Sequence, residues 1–156
     1  MIGARIKRTR RGDYQLRLPV EERDLLRSLP GQLRDLLGTD DPSLHRLFPP
    51  AYTDDSEHEH EDEYRRLMGN DLEEHHRQAL TVMEETVDAD RLDEEQLAGW
   101  LGALNQLRLV LGTRLDVTED MYEREMDPDD PSAPAFALYT YLGWLQEQAV
   151  AALSDG

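Results

Sequence analysis

The chain has 156 residues and no cysteine. A domain of this length buries roughly 70% of its unfolded surface without a covalent staple, and the missing thiols exclude disulfides, thiolate metal sites and a redox switch built from its own thiols. The formal net charge is −17, but Arg5, Lys7, Arg8, Arg10 and Arg11 stand in residues 1–12 without an acid, so the other 12 basic and 34 acidic residues leave −22 on residues 13–156. Such a body repels nucleic acid and attracts a basic protein surface, and only the N-terminal cluster suits a phosphate.

In chain order, Ile2, Ala4 and Ile6 alternate with charged residues, as do Tyr14, Leu16 and Leu18. With Gly12 between them, this period of two predicts a β-hairpin over 1–18. Pro19 opens a first helix with Glu21 and Glu22 in its first turn, and leucines at helical spacing carry it to Gly38. Pro30, inside that run, is expected to kink or split it. Residues 39–63 read as a polar connection ending in the acidic run DDSEHEHEDE, with one helical turn around Leu44, Leu47 and Phe48.

A second helix is expected from Tyr64, Leu67, Met68, Leu72, His75, Ala79, Met83 and Val87, with a break where Asn70 and Glu73 form a capping box. Asp93 with Gln96 caps a third helix, whose stripe is Leu97, Trp100, Leu101, Leu104, Leu107, Leu111 and Leu115. Thr118 caps a short turn near Met121 and Tyr122. Residues 127–134 form a Pro-rich loop, and Ser132 and Pro134 introduce a last helix through Phe136, Tyr141, Leu145 and Leu153. The whole predicts one mainly α domain over 1–156. It is an antiparallel bundle of about four helices (19–156) with a small N-terminal β-hairpin.

No stretch matches a nucleophile elbow or a phosphate loop, so no catalytic residue, cofactor or metal is assigned. His58 and His60, with Glu61 or Asp62, have the residue types of a cation site. Their spacing on a helix points the two rings apart, and a solvated acidic run without a metal is the preferred reading. A metal-dependent enzyme using His58, His60, His75 or His76 is the third-ranked function. His75 falls on the apolar face and reads as a core histidine.

Asn105, Arg108 and Arg114 are polar positions within an apolar helix and read as structural. An ion pair of Arg108 with Asp71 or Glu74 is expected, because a buried arginine needs a partner. Arg5, Lys7, Arg8, Arg10 and Arg11 are the candidate contacts to a partner or to DNA. Phe136, Tyr139, Tyr141 and Trp144 cannot all face one buried stripe, so a homodimer through this helix is a further expectation. No apolar run approaches the roughly 20 residues of a membrane span and no signal-type h-region opens the chain, so a cytoplasmic protein is expected.

The third-helix segment ALNQLRLVLGTRLDV resembles the signature of an actinobacterial domain-of-unknown-function family, the AosR-like family of the actinomycete oxidative-stress regulator. The hairpin ending in YQLRLP, the first helix EERDLLRSLPGQLRDLLG, EYRRLM after the acidic run and a closing aromatic helix agree with it, over nearly the whole chain. The resemblance implies a cytoplasmic, non-enzymatic transcription regulator. It would act through protein–protein interaction with a sigma factor of the extracytoplasmic-function type, or with RNA polymerase. Sensing in that family is attributed to cysteines, which this chain lacks. An adaptor linked to proteolysis or a structural interaction protein, without DNA contact, is the alternative.

Overall fold

The computed structural model describes residues 4–48, 58–115 and 129–154, with 58–70 as helical backbone only. The hairpin forms as β1 (Ile6–Arg8) and β2 (Tyr14–Leu16), with Ile6 opposite Leu16 and Arg8 opposite Tyr14. Gly12 turns the chain at φ +90°, a conformation that glycine adopts without strain. A short β3 (Arg91–Leu92) pairs with β2 and completes a three-stranded antiparallel sheet in the order β1-β2-β3. Two residues are too few to show a period, so nothing in the sequence marks this strand. Ile6, Tyr14, Leu16 and Leu92 form the buried face of the sheet.

The fold is mainly α, with four α-helices among the described residues. Helix α1 (Val20–Leu36) begins after Pro19 and runs through Pro30 as one helix, so the expected split does not occur. Pro30 is buried with Leu26 and Leu33, and packing of its ring offsets the backbone hydrogen bond it cannot donate. A 3₁₀ turn (Pro42–Leu44) then brings Leu44 and Leu47 into the core. Helix α2 (His58–Thr86) starts inside the stretch read as a connection and continues through Gly69 and Asn70 without the expected break. An interior glycine costs a helix only about 1 kcal/mol, which tertiary packing readily offsets. The expected turn near Met121 and Tyr122 lies outside the described residues.

Helix α3 (Glu94–Leu115) opens on the expected capping box. The Gln96 N–H donates to Asp93 Oδ1 at 2.7 Å, and the Asp93 N–H donates to Gln96 Oε1 at 2.9 Å. It lies between α2 on one side and α4 (Ala133–Ser154) on the other. For that reason Ala103, Gln106 and Val110 are buried outside the expected stripe, while Leu101 and Leu111 are only partly buried. Two glycines set the approach distances. A Cβ on Gly99 would meet Val82 of α2 at 2.9 Å, and one on Gly112 would meet the Tyr139 ring of α4 at 2.9 Å.

The side-chain pairings give the helix directions. Arg27 pairs with Asp88 and Arg34 with Glu84. Trp100 Nε1–H donates to Thr86 Oγ1 at 2.7 Å, and Gln106 Nε2–H to the His76 carbonyl at 3.1 Å. Gln146 meets Asn105, and Tyr139 meets Gly112. Numbers rise on one helix as they fall on its neighbour, so successive helices are antiparallel. Among the described residues no helix is long and apolar enough to cross a membrane.

Candidate functional site

The five N-terminal cations separate into two groups. Arg5 turns inward: its Nε and Nη2 donate to the Glu22 carboxylate, with Nη2–Oε2 at 2.9 Å, and its guanidinium lies 5.5 Å from the Trp144 ring centre. Tyr141 Oη–H donates to the same carboxylate at 2.7 Å, and the Arg5 and Ile6 N–H groups donate to Gln148 Oε1. Burial works against the Glu22 charge, but the hydrogen bonds from Arg5 and Tyr141 and the Arg5 charge hold its carboxyl below the ordinary value. Burial, and then donation to Glu22, push the Tyr141 hydroxyl far up. Arg5 therefore holds the hairpin to α1 and α4 and is not a free contact for DNA.

Lys7, Arg8, Arg10 and Arg11 are exposed, and their side chains make no ion pair or hydrogen bond among the described residues. The hairpin's own acid does not neutralise them. Asp13 accepts from the Thr9 hydroxyl and pairs with Arg91 at 3.5 Å. The Thr9 hydrogen bond, then the Arg91 charge, outweigh desolvation and lower its pKa.

Between β1 and the C-terminal half of α4 lies a groove of about 830 Å³. Lys7, Arg8, Arg10 and Arg17 stand along it, over Trp144 and Ala151. Arg11 stands outside it. A second groove of about 580 Å³, between α3 and α4, shares Trp144 and Ala151 with the first and contains Arg108, Tyr139, Gln146 and Glu147. The two adjoin along α4 at Trp144 and Ala151, and the adjoining pair is termed the α4 channel. Trp144 was singled out from the sequence only as one of four aromatics of a dimer face, and Arg17 and Gln146 were not singled out. Their signal was weak: a polar position alternating on the hairpin, and a glutamine in an otherwise apolar helix.

The three polar residues of α3 differ in role. Asn105 Oδ1 accepts from Gln146 Nε2 at 3.4 Å. Arg114 pairs with Asp41 at 3.2 Å and donates to Ser43 Oγ at 3.3 Å, so it ties the end of α3 to the 3₁₀ turn. Arg108 does not take up the expected ion pair with Asp71 or Glu74. It points to α4, its Cδ beside Gly143, and its buried Nε has no hydrogen-bond partner among the described residues.

The half-buried histidine is His76, whereas His75 is exposed and is not the core histidine expected. His76 packs edge-on to Phe48 at 5.5 Å, and its Nε2 lies 3.2 Å from the Leu47 carbonyl. Burial first, then the charge of His75, lower its pKa despite that hydrogen bond. A one-residue step on α2 moves the ring from solvent to the loop interface. The side chains of His58 and His60 lie outside the described residues, and no group of three metal-type ligands occurs among those described.

The four aromatics of α4 are each partly buried against their own chain. Phe136 stacks with Tyr139 at 6.3 Å, and Tyr141 lies 6.0 Å from Trp144. The large exposed apolar side chains among the described residues are Val20, Leu25 and Val150.

Sequence reasoning missed Arg23 entirely. Its guanidinium donates to four backbone carbonyls, those of Leu16, Leu18, Val87 and Ala89, at 2.8–3.1 Å. No sequence pattern distinguishes it from other arginines of α1.

No curated protein and no solved structure matches the chain. The model of one family, described as a domain of unknown function (DUF2017), matches residues 1–153, and the chain belongs to that family.

Proposed function

We propose that the protein is a non-enzymatic transcriptional or stress regulator acting by protein–protein interaction. The observation that carries this reading is the separation of charge. Lys7, Arg8, Arg10 and Arg11 stand exposed and, among the described residues, unpaired on the hairpin, on a chain whose residues 13–156 sum to −22, from 12 basic and 34 acidic side chains. Exposed acids such as Asp24, Asp35, Glu85 and Glu95 offer a face to a basic partner, and the hairpin can approach DNA beside that partner. The resemblance to the AosR-like regulators supports an extracytoplasmic-function sigma factor or RNA polymerase as the partner and the cytoplasm as the compartment. With no cysteine, this chain does not sense an oxidant through a disulfide of its own.

Affinity purification of the chain from a producing cell tests the reading. Recovery of sigma factor or polymerase is expected, and repeated recovery of neither would overturn it. An adaptor for proteolysis without DNA contact is the competing reading, favoured by a channel that combines cations with an apolar floor. Charge reversal at Arg8, Arg10 and Arg11 separates them. A regulator touching DNA loses promoter output, whereas an adaptor keeps it.

A further inference from the structure

Two buried polar atoms on the α3–α4 face lack a hydrogen-bond partner among the described residues: Arg108 Nε and Gln146 Oε1. Both residues stand along the same groove. Gln146 lies one turn beyond Gly143, which the Arg108 side chain touches. One atom belongs to a donor and the other to an acceptor, and neither kind is normally left unmet when buried. A peptide group supplies both complements, a carbonyl for Arg108 and an N–H for Gln146. A phosphate supplies acceptors alone.

Beside this pair the floor becomes apolar, with Trp144, Ala151 and the exposed Val150. Farther along α4 it is bordered by Arg8, Arg10 and Arg17. The charge balance of the chain gives this end its selectivity. A basic segment is attracted to most of a surface that carries −17 overall, whereas an acidic segment is repelled from most of it and attracted to the hairpin. A nucleic acid strand would bring its phosphates against that same acidic body. Glu147 borders the groove at the Arg108 end, so acidic side chains are disfavoured there and belong at the hairpin end.

We propose that the channel along α4 is the docking site for an acidic peptide segment of a partner protein. A backbone amide of the segment meets Arg108 and Gln146, an apolar side chain lies on Trp144 and Val150, and the following carboxylates reach Arg8, Arg10 and Arg17. This inference rests on the reading of the chain as an interaction module, but not on any role in transcription.

Fluorescence anisotropy with the purified full chain tests it. The probes are fluorescein-labelled peptides with one Leu or Phe followed by a run of Asp and Glu, versions with Asn and Gln in place of the acids, labelled oligothymidylate and a short labelled DNA duplex. The acidic peptides are expected to bind at least about tenfold more tightly than the neutral ones, with an advantage that shrinks as salt rises. Arg8→Glu with Arg10→Glu should remove that advantage and leave the helical circular dichroism unchanged. Arg108→Gln should weaken acidic and neutral peptides alike, about tenfold. Val150→Asp, at an exposed position, provides the same test should Arg108→Gln disturb folding. Equal affinity for acidic and neutral peptides, affinity unchanged by the hairpin and Val150 variants, or binding of the oligonucleotides in preference to the peptides would each overturn the proposal. Sigma-factor recovery from cells is a separate readout, so failure of either reading is distinguishable from failure of the other.

Discussion

The Arg5 guanidinium holds the Glu22 carboxylate in a fork, with Nε–Oε1 at 3.0 Å and Nη2–Oε2 at 2.9 Å. Read along the chain, Arg5 belongs to a basic cluster and Glu22 to a helix's acidic first turn. In the fold they form a partly buried pair, 16% and 20% exposed, joined by Tyr141. The pair fastens β1 to α1 and α4, and thereby fixes the position of the remaining hairpin cations beside α4.

Glu22→Gln is expected to destabilise the protein by about 2 kcal/mol, toward the lower end for a broken buried pair because both groups keep some solvent contact. The substitution leaves the Arg5 cation without its carboxylate. Urea unfolding measures the change. A loss below about 0.5 kcal/mol would show that the fork contributes little to attachment of the hairpin.

Arg23→Ala should cost about 3 kcal/mol or more, because four carbonyls lose a charged donor together. Arg27→Ala, one helical turn later, should cost less than about 1 kcal/mol, since its pairs with Asp24 and Asp88 are solvent-exposed. Equal losses for the two variants would contradict the distinct role given to Arg23.

The folded state holds His76 below the ordinary histidine value, chiefly by burial. The neutral ring is therefore the form the fold prefers, and the unfolded chain takes up the proton first as pH falls. Stability from this group is fully present above the unfolded value of about 6.5 and is lost as pH drops through it toward the folded value. Urea midpoints should fall between about pH 7.5 and pH 5.5, and His76→Asn should reduce that difference. An identical pH dependence in the variant would assign the effect to other groups.

Gly99→Ala tests the contact between α2 and α3. Helix propensity alone favours alanine by about 1 kcal/mol. The new Cβ would meet Val82 Cγ1 at 2.9 Å and Cβ at 3.0 Å, and Val82 is branched at the atom it meets. A net destabilisation of about 1 kcal/mol or more is expected, with partial recovery when Val82→Ala is combined with it. A stabilised Gly99→Ala chain would show that the two helices shift apart at little cost.

Much of the fold was legible because it follows local periodicity. The alternation in residues 1–18, the Asp93–Gln96 box and the leucine spacing of α1 and α3 rest on interactions within a few residues of one another. Reading failed where a local signal was weaker than packing. Pro30 and Gly69 resemble breakers, yet α1 and α2 run through them. The one-residue error between His75 and His76 has the same origin, since the phase of a stripe on α2 depends on which neighbours cover it.

The candidate site was half visible. Arg8, Arg10 and Arg11 are exposed, as a contact role requires, and Arg114 and Asn105 bond to Asp41 and Gln146 on neighbouring elements. The partners of Arg5 and Arg108 were not visible, because the residues that decide them, Glu22 for one and Gly143 for the other, lie on elements brought close only by the bundle.

By itself, then, the sequence determined the mainly α class, the hairpin, the order of the helices and the separation of a basic end from an acidic body, all of which depend on composition and near-neighbour spacing. Only the tertiary structure decided which cations are consumed in holding the fold and which remain at the surface. Arg5 and Arg23 are drawn inward by acceptors on distant segments, whereas Arg8 and Arg10 meet none among the described residues and stand along a groove over Trp144. A buried arginine needs acceptors and an exposed one does not, and where those acceptors lie is a property of the packed chain.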